Sequence, residues 1–137
     1  MEELLRQIRA NAQLVVDTLG PESGVSFGIN PDSVAWVDGF IERQRARTYL
    51  DPSTADRLVD VLGSFLGECL IAAASGSWVR DDGDQYPWVE FPNNTRVNAF
   101  GKVRKQFDQG NEGGESIRSF YEIAVEYVAT GRLNSST

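Results

Sequence analysis

The segment Asp51–Ala74 (DPSTADRLVDVLGSFLGECLIAAA) constrains the fold more than any other part of this chain. Asp51-Pro52 and the Ser53/Asp56 pair, in capping-box spacing, mark a helix start. Leu58, Val59, Leu62, Phe65, Leu66, Cys69, Leu70 and Ala73 then recur at helical spacing. The opposite side is polar at Asp60 and Ser64 and turns apolar at Ile71 and Ala74. A helix that is apolar on two sides must be covered from two sides, so its C-terminal half is expected to be buried nearly all round. Gly63 and Gly67, four residues apart, take side chains off one face and let another element approach the backbone. This helix is therefore expected at the centre of the fold.

The other elements arrange themselves around it. Glu2–Leu19 has Leu4, Leu5, Ile8, Ala12, Val15 and Leu19 on one face, and Gly20-Pro21 is expected to stop it. Asn30-Pro31-Asp32 opens a second helix expected to run to about Tyr49, with Val34, Val37, Phe40, Ile41 and Gln44 on one side. After Ser75-Gly76 the period changes. Ser77–Arg80 and Trp88–Phe91 read as strands around an Asp81–Asp84 turn, with a third strand expected over Thr95–Phe100. Gly101–Phe107 is expected to form one or two helical turns, and Glu115–Ala129 a last helix ended by Gly131. The predicted architecture is α+β: about four main helices around a short two- to three-stranded antiparallel meander. One domain over residues 1–137 is expected, with the tail fraying at about 132–137.

Composition limits the chemistry. Among 137 residues there is no histidine and one cysteine, Cys69. Histidine-based acid–base, nucleophile-activating and zinc chemistry is thereby excluded, and a zinc or iron–sulfur site lacks ligands. No cofactor and no metal is expected. A lone cysteine fits a reducing compartment, and Met1-Glu2-Glu3 lacks the basic start of a signal peptide, so a soluble cytoplasmic protein is expected. No apolar run reaches membrane-spanning length, and no membrane partner is expected. The net charge of −7 repels phosphate backbones, so nucleic acid is not an expected partner either.

Six side chains stand out as ligand- or partner-binding candidates: Glu68, Trp36, Trp78, Trp88, Arg43 and Arg47. Glu68 interrupts an apolar helix. A carboxylate there needs cations or donors around it, and it is expected to pair with an arginine, to accept an indole N–H, or to serve a ligand. Glu42 and Glu90 are possible second carboxylates for glycosidase-like chemistry. The three tryptophans, with Tyr86 and Phe91, either line a groove or fill the core, and Trp36 lies beside its helix's apolar stripe. Arg43, Arg45 and Arg47 form one basic cluster, and Arg96, Lys102, Arg104 and Lys105 another; they serve an acidic partner only where they converge. Asp81, Asp82 and Asp84 resemble part of a calcium loop but lack its alternating ligands and late glutamate, so a solvated turn is expected. Cys69, on the apolar stripe, is expected to be a buried, inert thiol.

At Leu62-Gly63-Ser64-Phe65-Leu66-Gly67-Glu68, Gly76-Ser77-Trp78-Val79, Trp88-Val89-Glu90-Phe91 and the stretch from Phe100 to Gly110, the chain resembles a family of small uncharacterised bacterial proteins. Those proteins share a glycine-rich LGxxLGE helix followed by a G-x-W strand. The resemblance spans about Asn30 to Val128. It implies a bacterial cytosolic domain of unknown function and carries over no catalytic residue.

Small size, acidity and the lack of catalytic signatures point to a non-enzymatic protein-interaction domain, immunity-like or regulatory, with a protein partner. The alternative is a small-molecule binder or carboxylate-based enzyme centred on Glu68.

Overall fold

Helix α3, Pro52–Ala74, is the axis on which the other elements pack. A computed structural model describes residues 1–47 and 49–131. The tail expected to fray over 132–137 lies outside the described residues. Around α3 stand α1 (Glu2–Ser23), α2 (Pro31–Arg45), α4 (Ala99–Gln109) and α5 (Ile117–Thr130), with a 3₁₀ turn at Asn111–Gly113. Strands β1 (Ser77–Val79), β2 (Trp88–Glu90) and β3 (Arg96–Val97) form an antiparallel sheet in the order β1-β2-β3. Trp78 pairs with Val89, and Val89 with Val97. The fold is the α+β arrangement of helices about a short meander that the periodicities predict.

Helix α3 is closed at its start by Asp51, whose carboxylate accepts from the N–H groups of Ser53 (3.1 Å) and Thr54 (3.2 Å). The Ser53 hydroxyl also donates to it, and these bonds hold the Asp51 carboxyl below its ordinary range. The cap is therefore Asp51, two residues before the predicted Ser53/Asp56 box; Asp56 is instead taken by Arg104. From Leu62 to Leu70 every side chain but Glu68 is buried, whereas Ala72 and Ala73 are exposed. The glycine face is used as expected. A Cβ on Gly67 would lie 2.0 Å from the Trp78 ring, and one on Gly63 would lie 2.3 Å from the Phe100 ring. Both aromatic rings rest directly on the α3 backbone.

Three boundaries differ from the sequence expectation. Helix α1 continues through Gly20-Pro21 to Ser23 and ends at Gly24, whose φ of 71° is left-handed. Proline removes one hydrogen bond there, and Gly20 has no Cβ for the proline ring to strike. Helix α2 ends at Arg45, short of Tyr49, because Arg47 N–H bonds three residues back to the Gln44 carbonyl and tightens the last turn. The third strand stops at Val97, where the Asn98 side chain accepts the Gly101 N–H at 2.9 Å and opens α4. The expected one or two turns thus become a helix from Ala99 to Gln109.

A buried polar knot ties α2, α4 and α5 together. Asp38 accepts from the Ser116 hydroxyl (2.5 Å), Arg118 N–H (3.0 Å) and Asn111 Nδ2 (3.1 Å). Gln106, fully buried, accepts Ile117 N–H at 2.8 Å and donates to Glu42 at 3.0 Å. The first N–H groups of α5, which have no partner inside the helix, are thus met by side chains from α2 and α4. Among the described residues no buried side-chain polar atom lacks a partner.

Candidate functional site

Helices α1 and α3 run in opposite directions. Asn11 Nδ2 reaches Ser64 Oγ at 3.4 Å near the middle of both helices, and Leu14 to Leu19 face Thr54 to Leu62 toward the C-terminus of α1 and the N-terminus of α3. Helix α1 packs mainly on α3, so one flank of their seam stays open. Two concavities lie along it. The first, about 260 Å³, is almost wholly apolar and is walled by Leu14, Leu19, Phe40, Leu58 and Val61. The second, about 520 Å³, is mixed: Gln7, Asn11, Asp60, Ser64, Gln85 and Tyr86 share it with Leu4, Ile8, Pro87 and Phe100. Arg57 and Val61 line both, so the two form one continuous groove.

Sequence periodicity builds this groove. Its α1 wall comes from positions 4, 7, 11, 14 and 18, alternate steps of three and four that place side chains on one stripe. Positions 54, 57, 58, 61 and 64 share one face of α3. Leu14, on the first stripe, keeps 46% of its surface exposed, a large apolar side chain left uncovered beside an apolar hollow.

In the mixed half, the Tyr86 hydroxyl donates to Asp60 Oδ1 at 2.5 Å. Burial, with that carboxylate beside it, pushes the Tyr86 phenol up to about 12. The Tyr86 ring stacks on Phe100 with centroids 4.5 Å apart, which fixes the hydroxyl's direction. Ser64 Oγ donates back to the Asp60 carbonyl at 2.8 Å. Among the described residues no hydrogen bond or ion pair engages the Arg57 side chain, so its guanidinium is available at the junction of the two halves.

The predicted site residues fall into separate places. Trp36 and Arg43 meet: the Arg43 guanidinium lies 4.9 Å from the Trp36 ring centre. Trp36 stacks on Phe40 at 5.8 Å and so buttresses the apolar wall of the groove. Arg47 is exposed and donates to Gln44 at 3.1 Å, while Arg45 turns inward to the Phe107 carbonyl at 3.0 Å. The first basic cluster therefore does not converge.

Trp78 and Glu68 form a pair of their own, the indole N–H donating to Glu68 Oε2 at 2.9 Å. Glu68 lines neither half of the groove. Glu42 is engaged by Gln106, and Glu90 accepts from Arg96 at 2.9 Å, so each of these carboxylates has its own partner.

Trp88 lies in a smaller cleft of about 250 Å³ with Arg96, Lys102 and Lys105. Three members of the second basic cluster converge there, but Arg96 is paired with Glu90 and Asp81, and Lys102 with Glu115. These acids largely neutralise the cleft. Arg104 points elsewhere, to Asp56.

Arg57, Asp60 and Ser64 were not among the predicted site residues, whereas Tyr86 was read beside the tryptophans as lining a groove or filling the core, and it lines the groove. Asp60 and Ser64 do mark the polar side of α3 in the sequence, but nothing there shows that α1 would leave that side open. Cys69 is buried, and burial pushes its thiol up to about 12. The Asp81–Asp84 segment is a turn in which Asp84 accepts the Asp81 N–H at 3.2 Å and Gly83 has φ 89°. Among the described residues no group of three or more acidic or cysteine side chains is placed to hold a metal ion, and no helix is long and apolar enough to cross a membrane.

No family model, no curated protein and no solved structure matches this chain.

Proposed function

We propose that this protein is a non-enzymatic interaction module that holds one segment of a partner protein in the groove between α1 and α3. The observation that carries the reading is the continuity of an apolar hollow and a mixed cleft through Arg57 and Val61. Such a surface offers an apolar anchor site flanked by hydrogen-bonding groups, as the centre and rim of a protein interface do. The net charge of −7 favours encounter with a partner of opposite net charge. A module of this kind acts by occupancy, neutralising or adapting its partner, and the reading extends to an immunity-like or regulatory role in a bacterial cytoplasm.

The test is photo-crosslinking in the native cell. A benzophenone amino acid at Leu14 is expected to give one protein adduct, while the same group at Glu126 on α5 gives none. The adduct should disappear when Arg57→Glu is introduced alongside. Equal labelling from both positions, or no protein adduct from Leu14, would overturn the proposal.

A further inference from the structure

We infer that the segment held in the groove is an amphipathic α-helix that sets apolar side chains on Leu14 and Leu58 and a carboxylate on Arg57. This rests on the function proposed above and specifies the partner's chemistry.

Three features of the groove select a helix. Both walls are helices, and their ridges at steps of three and four are the surface into which a third helix packs. The stripe from Leu4 to Thr18 on α1 spans about 21 Å at a helical rise of about 1.5 Å per residue, room for roughly four turns of a partner helix. The third feature is decisive. Away from their ends, the backbone groups of α1 and α3 are bonded within their own helices, so the walls offer no row of free N–H or C=O. An extended segment would lay its own unpaired backbone against Leu14, Phe40, Leu58 and Val61, whereas a helix brings its backbone already satisfied.

Charge fixes the rest. Among the described residues Arg57 has no hydrogen-bond or ion-pair partner at the midpoint of the groove. The groove's own carboxylate, Asp60, accepts the Tyr86 hydroxyl, so the planar guanidinium favours a carboxylate on the incoming face. Toward α1's N-terminus, Gln7, Asn11 and Ser64 suit polar side chains; toward its C-terminus, Leu14 and Leu58 suit apolar ones. The partner helix is thus graded along its length, with its apolar end toward the C-terminus of α1.

The probe is a phage-displayed library on a 16-residue alanine-rich helix, varied at steps of three and four and panned against the full chain. Enriched sequences are expected to be apolar at two positions one turn apart and acidic at a third. They should gain helicity on binding, lose at least tenfold in affinity to Leu14→Glu, and lose binding when proline is placed at their centre. Panning against Arg57→Glu should replace the acid by lysine or arginine. Binders that tolerate the central proline, or that alternate with a period of two, would overturn the helix. An acid preference unchanged by Arg57→Glu would overturn the charge assignment. If Leu14 crosslinks a protein while the enriched peptides are not helical, the helix falls and the groove stands; if no binder is sensitive to Leu14→Glu and Leu14 crosslinks nothing, both fall.

Discussion

The indole of Trp78 donates its N–H to Glu68 at 2.9 Å while its ring lies where a Cβ on Gly67 would be. One β1 side chain thereby satisfies the carboxylate on α3 and fills the notch in the residue beside it. Gly67→Ala forces a methyl group to within 2.0 Å of the Trp78 ring and is expected to lower stability by about 1–3 kcal/mol. Urea unfolding of the variant checks this. Gly63→Ala, facing Phe100 at 2.3 Å, should behave in the same way.

The knot around Asp38 gives a second outcome. Asp38→Ala removes the acceptor for Ser116, Asn111 and the Arg118 N–H together. Leaving buried donors without a partner is expected to cost roughly 2–3 kcal/mol. The loss should appear in urea unfolding, and hydrogen exchange should report the first turn of α5 as the segment that loses most protection.

How far these residues were visible in the sequence follows from the same physics. The helix starts at Asn30-Pro31 and Asp51-Pro52, the glycine face of α3 and the order of the strands were legible because each is a local pattern. Asp38 and Gln106 were not, although both lie on the apolar stripes of their helices, beside Val37 and Phe107. A polar residue on such a stripe signals a buried network, but the bonds that tie Asp38 to Asn111, Ser116 and Arg118, and Gln106 to Glu42, span more than sixty positions and only packing brings those groups together. The groove was illegible for a similar reason: it depends on which flank of α1 stays uncovered. Glu68 was legible as an anomaly, and its indole partner was one of the readings the sequence allowed.

Cys69 is expected to resist thiol reagents in the folded protein. Burial leaves its thiol 1% exposed and pushes it up to about 12, so almost no thiolate exists near neutral pH. Labelling with a disulfide reagent should proceed only through opening of the fold and should accelerate with added urea. Rapid labelling without denaturant would show that α3 is accessible.

Tyr86 predicts a loss of stability at high pH. Its phenol is at about 12 in the folded protein against an ordinary value of 10.0. Below pH 10 both states hold the proton and its contribution is complete. Between these values the unfolded chain releases the proton while the folded one keeps it, so stability falls as pH rises through that window. In Tyr86→Phe this part of the decline should vanish, as should the phenolate absorbance that titrates near 12.

The groove is the account's central claim, and Leu14 is its most exposed apolar wall. The most direct test is titration of the purified crosslinked partner against wild-type protein and Leu14→Glu. Because Leu14 is 46% exposed, the variant should keep its melting temperature within about 2 °C, as surface substitutions usually do. The account predicts a Kd at least tenfold weaker, about 1.4 kcal/mol. An unchanged Kd in a folded Leu14→Glu protein would contradict it.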